Sequence, residues 1–360
     1  MNELWTAELL RHGAQFDNGR AAHFGDPAAE LEAAAAGPII CDLSHEGLIL
    51  AAGEDAATFL HGQFSNEVLA LAEGDVQWNS WNSPKGRMLT SFLMWKGRQG
   101  FFLQLPRGLQ AAIQKRLQMF VLRAKVKLDD ASAGWVRFGL AGTDIDALEA
   151  SIRAVFGAIA RGNMSSVHGE GARLLRLSPR RFEIVAPAER GIELWNHFAS
   201  KAAVPVGAPV WDGLAIQEGI ITILPETQDS FVAQMANFEL IGGVNFKKGC
   251  YPGQEIVART QYRGILKRRM VRVHGETTDS LPKPGENVYA PEFGEQAAGA
   301  FANVAPAAGG GFDALVVAQL ESINANSLRM GNAGGSRLQI RPLPYAIPEV
   351  SNIAKVPSAA

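Results

Sequence analysis

The residues best suited to chemistry lie in one run, Phe246-Lys247-Lys248-Gly249-Cys250-Tyr251-Pro252-Gly253-Gln254-Glu255-Ile256-Val257-Ala258-Arg259-Thr260. Pro252-Gly253 suits the middle of a tight turn, proline fixing φ and glycine admitting φ > 0. Gln254 to Arg259 then predicts a helical turn, which sets Cys250 just before a helix N-terminus with two lysines upstream. Helix N-termini and nearby cations both favour the thiolate, the form of cysteine that attacks electrophiles or ligates soft metals. A lone free cysteine is most often buried and inert. Here, however, the neighbours are charged, glycine-rich and turn-forming. Cys41 is the opposite case, set between Ile40 and Asp42 in a strand-like run that predicts core packing.

The same region is cationic. Between Lys247 and Arg272 stand Lys247, Lys248, Arg259, Arg263, Lys267, Arg268, Arg269 and Arg272 against Glu255 alone, a local charge of +7. The whole chain, with 34 basic and 36 acidic residues, carries a formal charge of −2. Such a concentration suits a polyanion, whether a polyglutamyl tail, a phosphate backbone or an acidic partner. It is equally the composition of a solvated face balanced by acids from elsewhere. Only Tyr251 and Tyr262 lie within the basic run, a thin stacking platform for RNA. Trp78 and Trp81, near Asn79, Asn82 and Lys85, offer rings that either stack on a flat ligand or pack in a strand.

Other chemistries are excluded by what is missing. The seven histidines form no HxxxH, and the two cysteines form no CxxC, so a preformed zinc site is not expected. There is no GxGxxG after a strand, no GxxxxGK[ST] and no GxSxG. Two cysteines cannot make a disulfide framework, and they point to a reducing compartment. No basic segment followed by an apolar stretch opens the chain, and no apolar run reaches the ~18 residues of a membrane span. A cytoplasmic protein with no membrane association is the expectation. With 47% hydrophobic and 19% charged residues among 360, the chain has ample material for a core.

The elements that must position Cys250 read as α+β. A short amphipathic helix, with Leu4, Trp5, Leu9 and Leu10 along one side, opens the chain, and an Ala-rich helix ends at Gly37-Pro38. Strands follow at Ile39–Leu43 and Leu48–Leu50, then a helix through Phe59 and Leu60 with Asp55 as cap. Val76 to Leu105 reads as hairpins turning at Ser83-Pro84-Lys85-Gly86. A helix over Gly108–Val121 presents Leu109, Ile113, Leu117 and Phe120, and Asp129–Gly134 reads as a boundary. Strand–helix alternation then recurs to Ala199. After Lys267, proline and glycine punctuate short apolar stretches, the pattern of a small antiparallel β-barrel or sandwich. The 38 glycines, well above the usual ~7% share, agree with a turn-rich fold.

At this point the residues resemble a known family. Lys248, Gly249, Cys250, Tyr251, Gly253, Gln254 and Glu255 fill every fixed position of K-G-C-Y-x-G-Q-E, the hallmark of the YgfZ family of folate-binding proteins. Phe59-Leu60-His61-Gly62-Gln63 resembles the family's F-L-x-G-Q, and Lys85-Gly86-Arg87-Met88 its K-G-R/K-M turn. The family is similar in fold to the T-protein of the glycine cleavage system, a tetrahydrofolate-dependent aminomethyltransferase. The resemblance implies a three-module ring, two interleaved α+β modules plus a C-terminal antiparallel β-barrel. The approximate parts are 1–130 and 131–264 for the folate-binding region, 265–347 for the barrel and 348–360 for a disordered tail.

It also implies tetrahydrofolate as ligand, with Gln217 at the position that meets the pterin; Trp78, Lys85, Arg87, Arg259 and Arg263 are the further folate-binding candidates, the carboxylate tail being expected toward cationic side chains. Members of this family serve as accessory factors for iron–sulfur cluster assembly or repair, supporting radical enzymes that thiomethylate transfer RNA. Cys250 would be the working residue and a transient cluster ligand, with assembly or client enzymes as partners. Two departures from the T-protein bear on activity. Thr90 replaces the first Asp of G-G-I-L-D-D, and Gln217 replaces the Glu of R-x-E. A hydroxyl cannot supply the charge or accept the proton that the Asp provides. The resemblance therefore implies no aminomethyl transfer. Readings left open beside this one are a folate-dependent one-carbon or demethylating enzyme and an RNA-binding module using 247–272.

Overall fold

The computed structural model describes residues 2–169, 171–201, 203–262, 264, 266–276 and 280–348. The tail expected from 348 onward lies, from 349, outside the described residues. Three larger sheets and the helices between them make an α+β fold.

The N-terminal helix Glu3–Arg11 is capped by the Asn2 side chain, which accepts from the Trp5 N–H. Trp5 and Leu9, four residues apart, face inward, whereas Leu4 and Leu10 are exposed. The apolar stripe is therefore narrower than the sequence suggests, because residues 5 and 9 share a face that 4 and 10 only flank. Trp5 Nε1 donates to Asp42 Oδ1 at 2.7 Å, fastening this helix to the strand Ile39–Asp42. All four residues of that strand, Cys41 among them, are buried.

A six-stranded sheet runs Ser165–Gly169, Ala172–Arg176, Arg181–Ala186, Val136–Ala141, Ile39–Asp42, Val204–Val206, with only the last pairing parallel. Trp5, Phe138 and Trp195 centre its core. A five-stranded sheet is ordered Val76–Asn82, Met88–Gly97, Gly100–Pro106, Glu46–Ala52, Lys127–Asp130. Its last strand occupies the stretch that reads as a boundary, since the Asp129 and Asp130 backbones pair with Leu50 and Ile49 despite their low strand propensity. Helix Arg107–Val121 buries Leu109, Ile113, Leu117 and Val121, while Phe120 is exposed. Asp55 does not cap the helix Ala56–Gln63 as expected; its Oδ2 accepts from the Lys125 N–H at 2.8 Å.

The C-terminal expectation is met by a six-stranded, wholly antiparallel sheet curled into a half-barrel, whose longest strands are Arg268–Gly275, Gly299–Pro306 and Phe312–Gln319. Val273, Phe301, Phe312 and Val316 fill its core. Contact density divides the chain into two interleaved units, Met1–Ala57 with Ala70–Gln77 and Leu93–Trp211, and Thr58–Leu69 with Trp78–Phe92 and Asp212–Ala360.

The first unit buries a charged group at some cost. Glu183 has its carboxyl pushed up to about 7 by burial, against the pull of Gln104, Arg137 and Arg181. An acid whose folded pKa is raised stabilises the fold fully below its unfolded pKa and loses that contribution as pH climbs through the folded value. Stability should therefore fall by on the order of 2–3 kcal/mol between pH values of about 4.5 and 7 through this residue. Glu183→Gln should flatten that slope, read as urea midpoints across the range; an unchanged slope would place the titration elsewhere.

Candidate functional site

The motif around Cys250 is built on glycines and a buried lysine. Gly253 adopts φ +76°, and a Cβ there would lie 2.4 Å from the Ser83 carbonyl oxygen and 2.6 Å from Gly86 Cα. Gly86, at φ +70°, would drive its own Cβ to 2.8 Å from Ile256. The Pro252-Gly253 turn and the Lys85-Gly86-Arg87 hairpin turn therefore meet backbone to backbone, which only glycine allows. From that turn the helix Gln254–Tyr262 begins, its Gln254 N–H bonded to the Tyr251 carbonyl at 3.2 Å. Gln234 Nε2 holds the Val257 carbonyl at 2.7 Å, and Arg269 in turn binds the Gln234 carbonyl and Glu239.

Lys248 is 8% exposed, and its ammonium donates to the carbonyls of His61 and Phe64. Those carbonyls close the helix Ala56–Gln63, so the lysine caps the negative end of a helix dipole. Its Nζ also sits 4.9 Å from the Tyr251 ring centroid. Burial pulls the Lys248 pKa down to about 8, against the opposing attraction of Glu67 and Cys250. Burial likewise pushes the Tyr251 hydroxyl up to about 12. One contact thus joins Phe59-Leu60-His61-Gly62-Gln63 to the cysteine motif almost two hundred residues on.

His61 is the residue sequence reasoning missed. Its Nδ1 lies 2.9 Å from Glu67 Oε1, and its Nε2 stands 3.4 Å from where a Gly249 Cβ would be, one residue before Cys250. Burial and Lys248 lower the His61 pKa, against Glu67. The available signal was its position inside a motif that also carries Gly62 and Gln63. Cys250 itself is exposed, whereas Cys41 is buried.

The other expected residues are placed differently. Trp78 is half-buried; Lys85, Arg87, Gln217, Glu255 and Arg259 are exposed; Arg263 lies outside the described residues. Arg87 spends its Nη1 on the carbonyls of Asp229 and Ser230, at 3.3 and 2.7 Å. Thr90 is fully buried, its hydroxyl donating to the Ser91 carbonyl at 3.0 Å. The cationic segment is partly spent internally: Lys248 on carbonyls, Arg269 on Glu239 and Arg272 on Asp313 at 2.9 Å.

The GCVT N-terminal domain family matches residues 7–248. The tRNA-modifying protein YgfZ of Hamiltonella defensa subsp. Acyrthosiphon pisum is 30% identical over 246 residues, 68% of this chain and 72% of that protein. The chain belongs to the YgfZ family. The YgfZ protein of Pectobacterium carotovorum subsp. carotovorum is 28% identical over 323 residues, 88% of this chain and 94% of the relative. In fold, this YgfZ chain is similar to glycine cleavage system aminomethyltransferase T from Bartonella henselae, with TM-score 0.79 at 15% identity, covering 96% and 97% of the two chains.

The glycine contact yields a pair of opposite outcomes. Gly253→Ala should cost about 1–3 kcal/mol and lower the melting temperature. Gly62 lies within the helix Ala56–Gln63 with open space around it, so Gly62→Ala should be neutral or stabilising. Thermal melts of both variants check this.

Proposed function

We propose that this chain is a folate-binding accessory protein for iron–sulfur cluster assembly or repair, serving Fe–S enzymes such as those that thiomethylate transfer RNA, and acting through Cys250. The observation that carries the reading is the placement of that cysteine. Its side chain is exposed, while the backbone on either side is pinned by Lys248 and Gly253. Curated relatives are tRNA-modifying proteins, which supports the transfer-RNA side of the reading.

Folate fits what the chain leaves unsatisfied. Both polar atoms of the Asn82 amide and the hydroxyls of Ser80 and Ser83 are buried without a hydrogen-bond partner among the described residues. Each such orphan costs about 1–3 kcal/mol. Trp78, Ser80 and Asn82 alternate along the strand Val76–Asn82 and share one face. Ser80 stands between Trp78 and Asn82 on that face, and the Asn82 amide, with a free donor and a free acceptor, suits the amino-oxo edge of a pterin. When bound, tetrahydrofolate supplies nitrogen nucleophiles able to take up a one-carbon unit. Asn82 and Ser80 would orient the ring, Trp78 would cover its face and Lys85 would face the anionic tail. Thr90, buried and hydrogen-bonded to main chain, offers no carboxylate for aminomethyl transfer.

A cluster would be cargo. No three His, Cys, Asp or Glu side chains converge on a metal position among the described residues. Cys250 would lend one soft ligand while a donor or client protein holds the rest.

Tetrahydrofolate should bind with an affinity that falls as salt rises, because its tail is anionic. Asn82→Ala should weaken binding by about tenfold, the loss of one or two buried hydrogen bonds. No release of a one-carbon unit from an aminomethyl carrier is expected; titration calorimetry and mass analysis of the folate read both. Salt-independent binding, or none at millimolar ligand, would remove folate from the reading, and turnover would favour a one-carbon enzyme instead.

Cys250→Ser should abolish support of Fe–S client enzymes in a complementation assay while leaving the melting temperature within a degree or two (about 0.5 kcal/mol). The swap keeps size but replaces a soft ligand with a hard hydroxyl. A variant that melts several degrees lower yet still complements would make Cys250 a packing residue.

A further inference from the structure

Within the unit that lacks Cys250, a cavity of about 220 Å³ opens between the hairpin turn at Gly97–Gly100 and the strands Ser165–Gly169 and Ala172–Arg176. Its walls are aromatic and cationic, with Trp95, Phe102 and Trp135 beside Arg98, His168 and Arg173. Trp95 and Phe102 stack at 5.6 Å and 10°, and Trp135 meets Phe102 edge-on at 5.8 Å. Trp135 is only half-buried, so ring surface remains for a ligand. Nothing in the proposed folate and cysteine chemistry uses these residues.

Arg173 is the decisive group. It is 7% exposed, and its Nη1 is held by Ser166 Oγ at 2.9 Å and the Glu73 carbonyl at 2.8 Å. Its carboxylate neighbour, Glu73, stands 4.0 Å from Nη2 on a side chain that is 63% exposed. A buried guanidinium so weakly countered is costly unless an anion completes it. Burial also depresses its pKa, which Glu73 only partly offsets. Arg98 and His168, both exposed, add donors at the rim. Three donors around one opening suit a phosphate better than a single carboxylate, for which one bidentate arginine suffices.

We propose that this cavity binds a nucleoside monophosphate, the base stacking on the tryptophan-lined wall and the phosphate meeting Arg173 with Arg98 and His168. The volume lies below the ~300 Å³ of typical drug-sized pockets, enough for one base and its phosphate at the mouth. Stacking on aromatic rings serves any base, so the site selects the nucleotide class rather than one base. The same chemistry is offered by a free mononucleotide or by a phosphorylated end of single-stranded RNA.

The test is calorimetric titration of the full chain with adenosine monophosphate, adenosine, inorganic phosphate and a short oligoadenylate bearing a terminal phosphate. The monophosphate should bind at least about tenfold more tightly than adenosine or phosphate alone, since it adds base stacking to what phosphate makes and charge-assisted hydrogen bonds to what adenosine makes. Trp135→Ala and Arg98→Ala, at half-buried and exposed positions, should each weaken it, and Trp135→Phe should restore most of the affinity. Circular dichroism checks that each variant is folded. Tetrahydrofolate should not displace the nucleotide. Tighter binding of the oligomer, lost in the same variants, assigns the site to an RNA end; equal or weaker binding assigns it to free nucleotide. Absence of binding at millimolar monophosphate, indifference to Trp135 and Arg98 together, or displacement by tetrahydrofolate would overturn the proposal.

Discussion

The site depends on one buried ammonium. Lys248 Nζ bonds the carbonyls of His61, in the last turn of the helix Ala56–Gln63, and of Phe64 just past it, and leans on the Tyr251 ring. Removing a cation from water is costly, and burial has already dragged this one toward about 8. What offsets the cost is a set of main-chain oxygens that would otherwise be orphaned at a helix end. Because those oxygens belong to one motif and the ammonium to another, two segments far apart in sequence become one piece of structure. Arginine would bring a planar fork that does not suit two converging carbonyls as a compact ammonium does. Gly253 against Gly86 fixes the other side of the turn by the opposite means, the absence of any side chain. Cys250 stands between these two restraints with its own side chain left in solvent.

At TM-score 0.79 the chain shares the fold of glycine cleavage system aminomethyltransferase T, and within it Thr90 carries a buried hydroxyl. Thr90 spends that hydroxyl on its own neighbour's carbonyl, so the position has become part of the strand. A few residues away, Asn82, Ser80 and Ser83 keep donors and acceptors that nothing among the described residues satisfies. A chain shaped only for stability would fill such places with apolar side chains. These are the groups that the proposed recognition of a flat polar ring would use. In the proposed function the chemistry falls to Cys250.

Much of this was legible in the sequence, for identifiable reasons. The Ala-rich helix ending at Gly37, the Lys85-Gly86 hairpin turn and the helix opening at Gln254 follow from local rules, and each is found. The strand Lys127–Asp130 was hidden because its aspartates argue against a strand, and only pairing with Glu46–Ala52 makes it one. The apolar stripes of the first and fourth helices were read too wide, since Leu4, Leu10 and Phe120 sit on the margins rather than the buried face. The cationic run misled in part. Linear charge counting cannot see that Arg269 and Arg272 find Glu239 and Asp313, or that Lys248 turns inward. The approach of His61 to Gly249 was hidden for the same reason, because it exists only after the helix and the cysteine motif have met.

A lysine-anchored turn presents Cys250 as an accessible thiol. Alkylation of the native protein with iodoacetamide, followed residue by residue by mass spectrometry, tests it most directly. Cys250 should be modified rapidly in the folded chain, while Cys41, fully buried in its strand, stays unmodified until denaturant is added. Equal rates at the two cysteines in the native protein, or protection of both, would contradict the account.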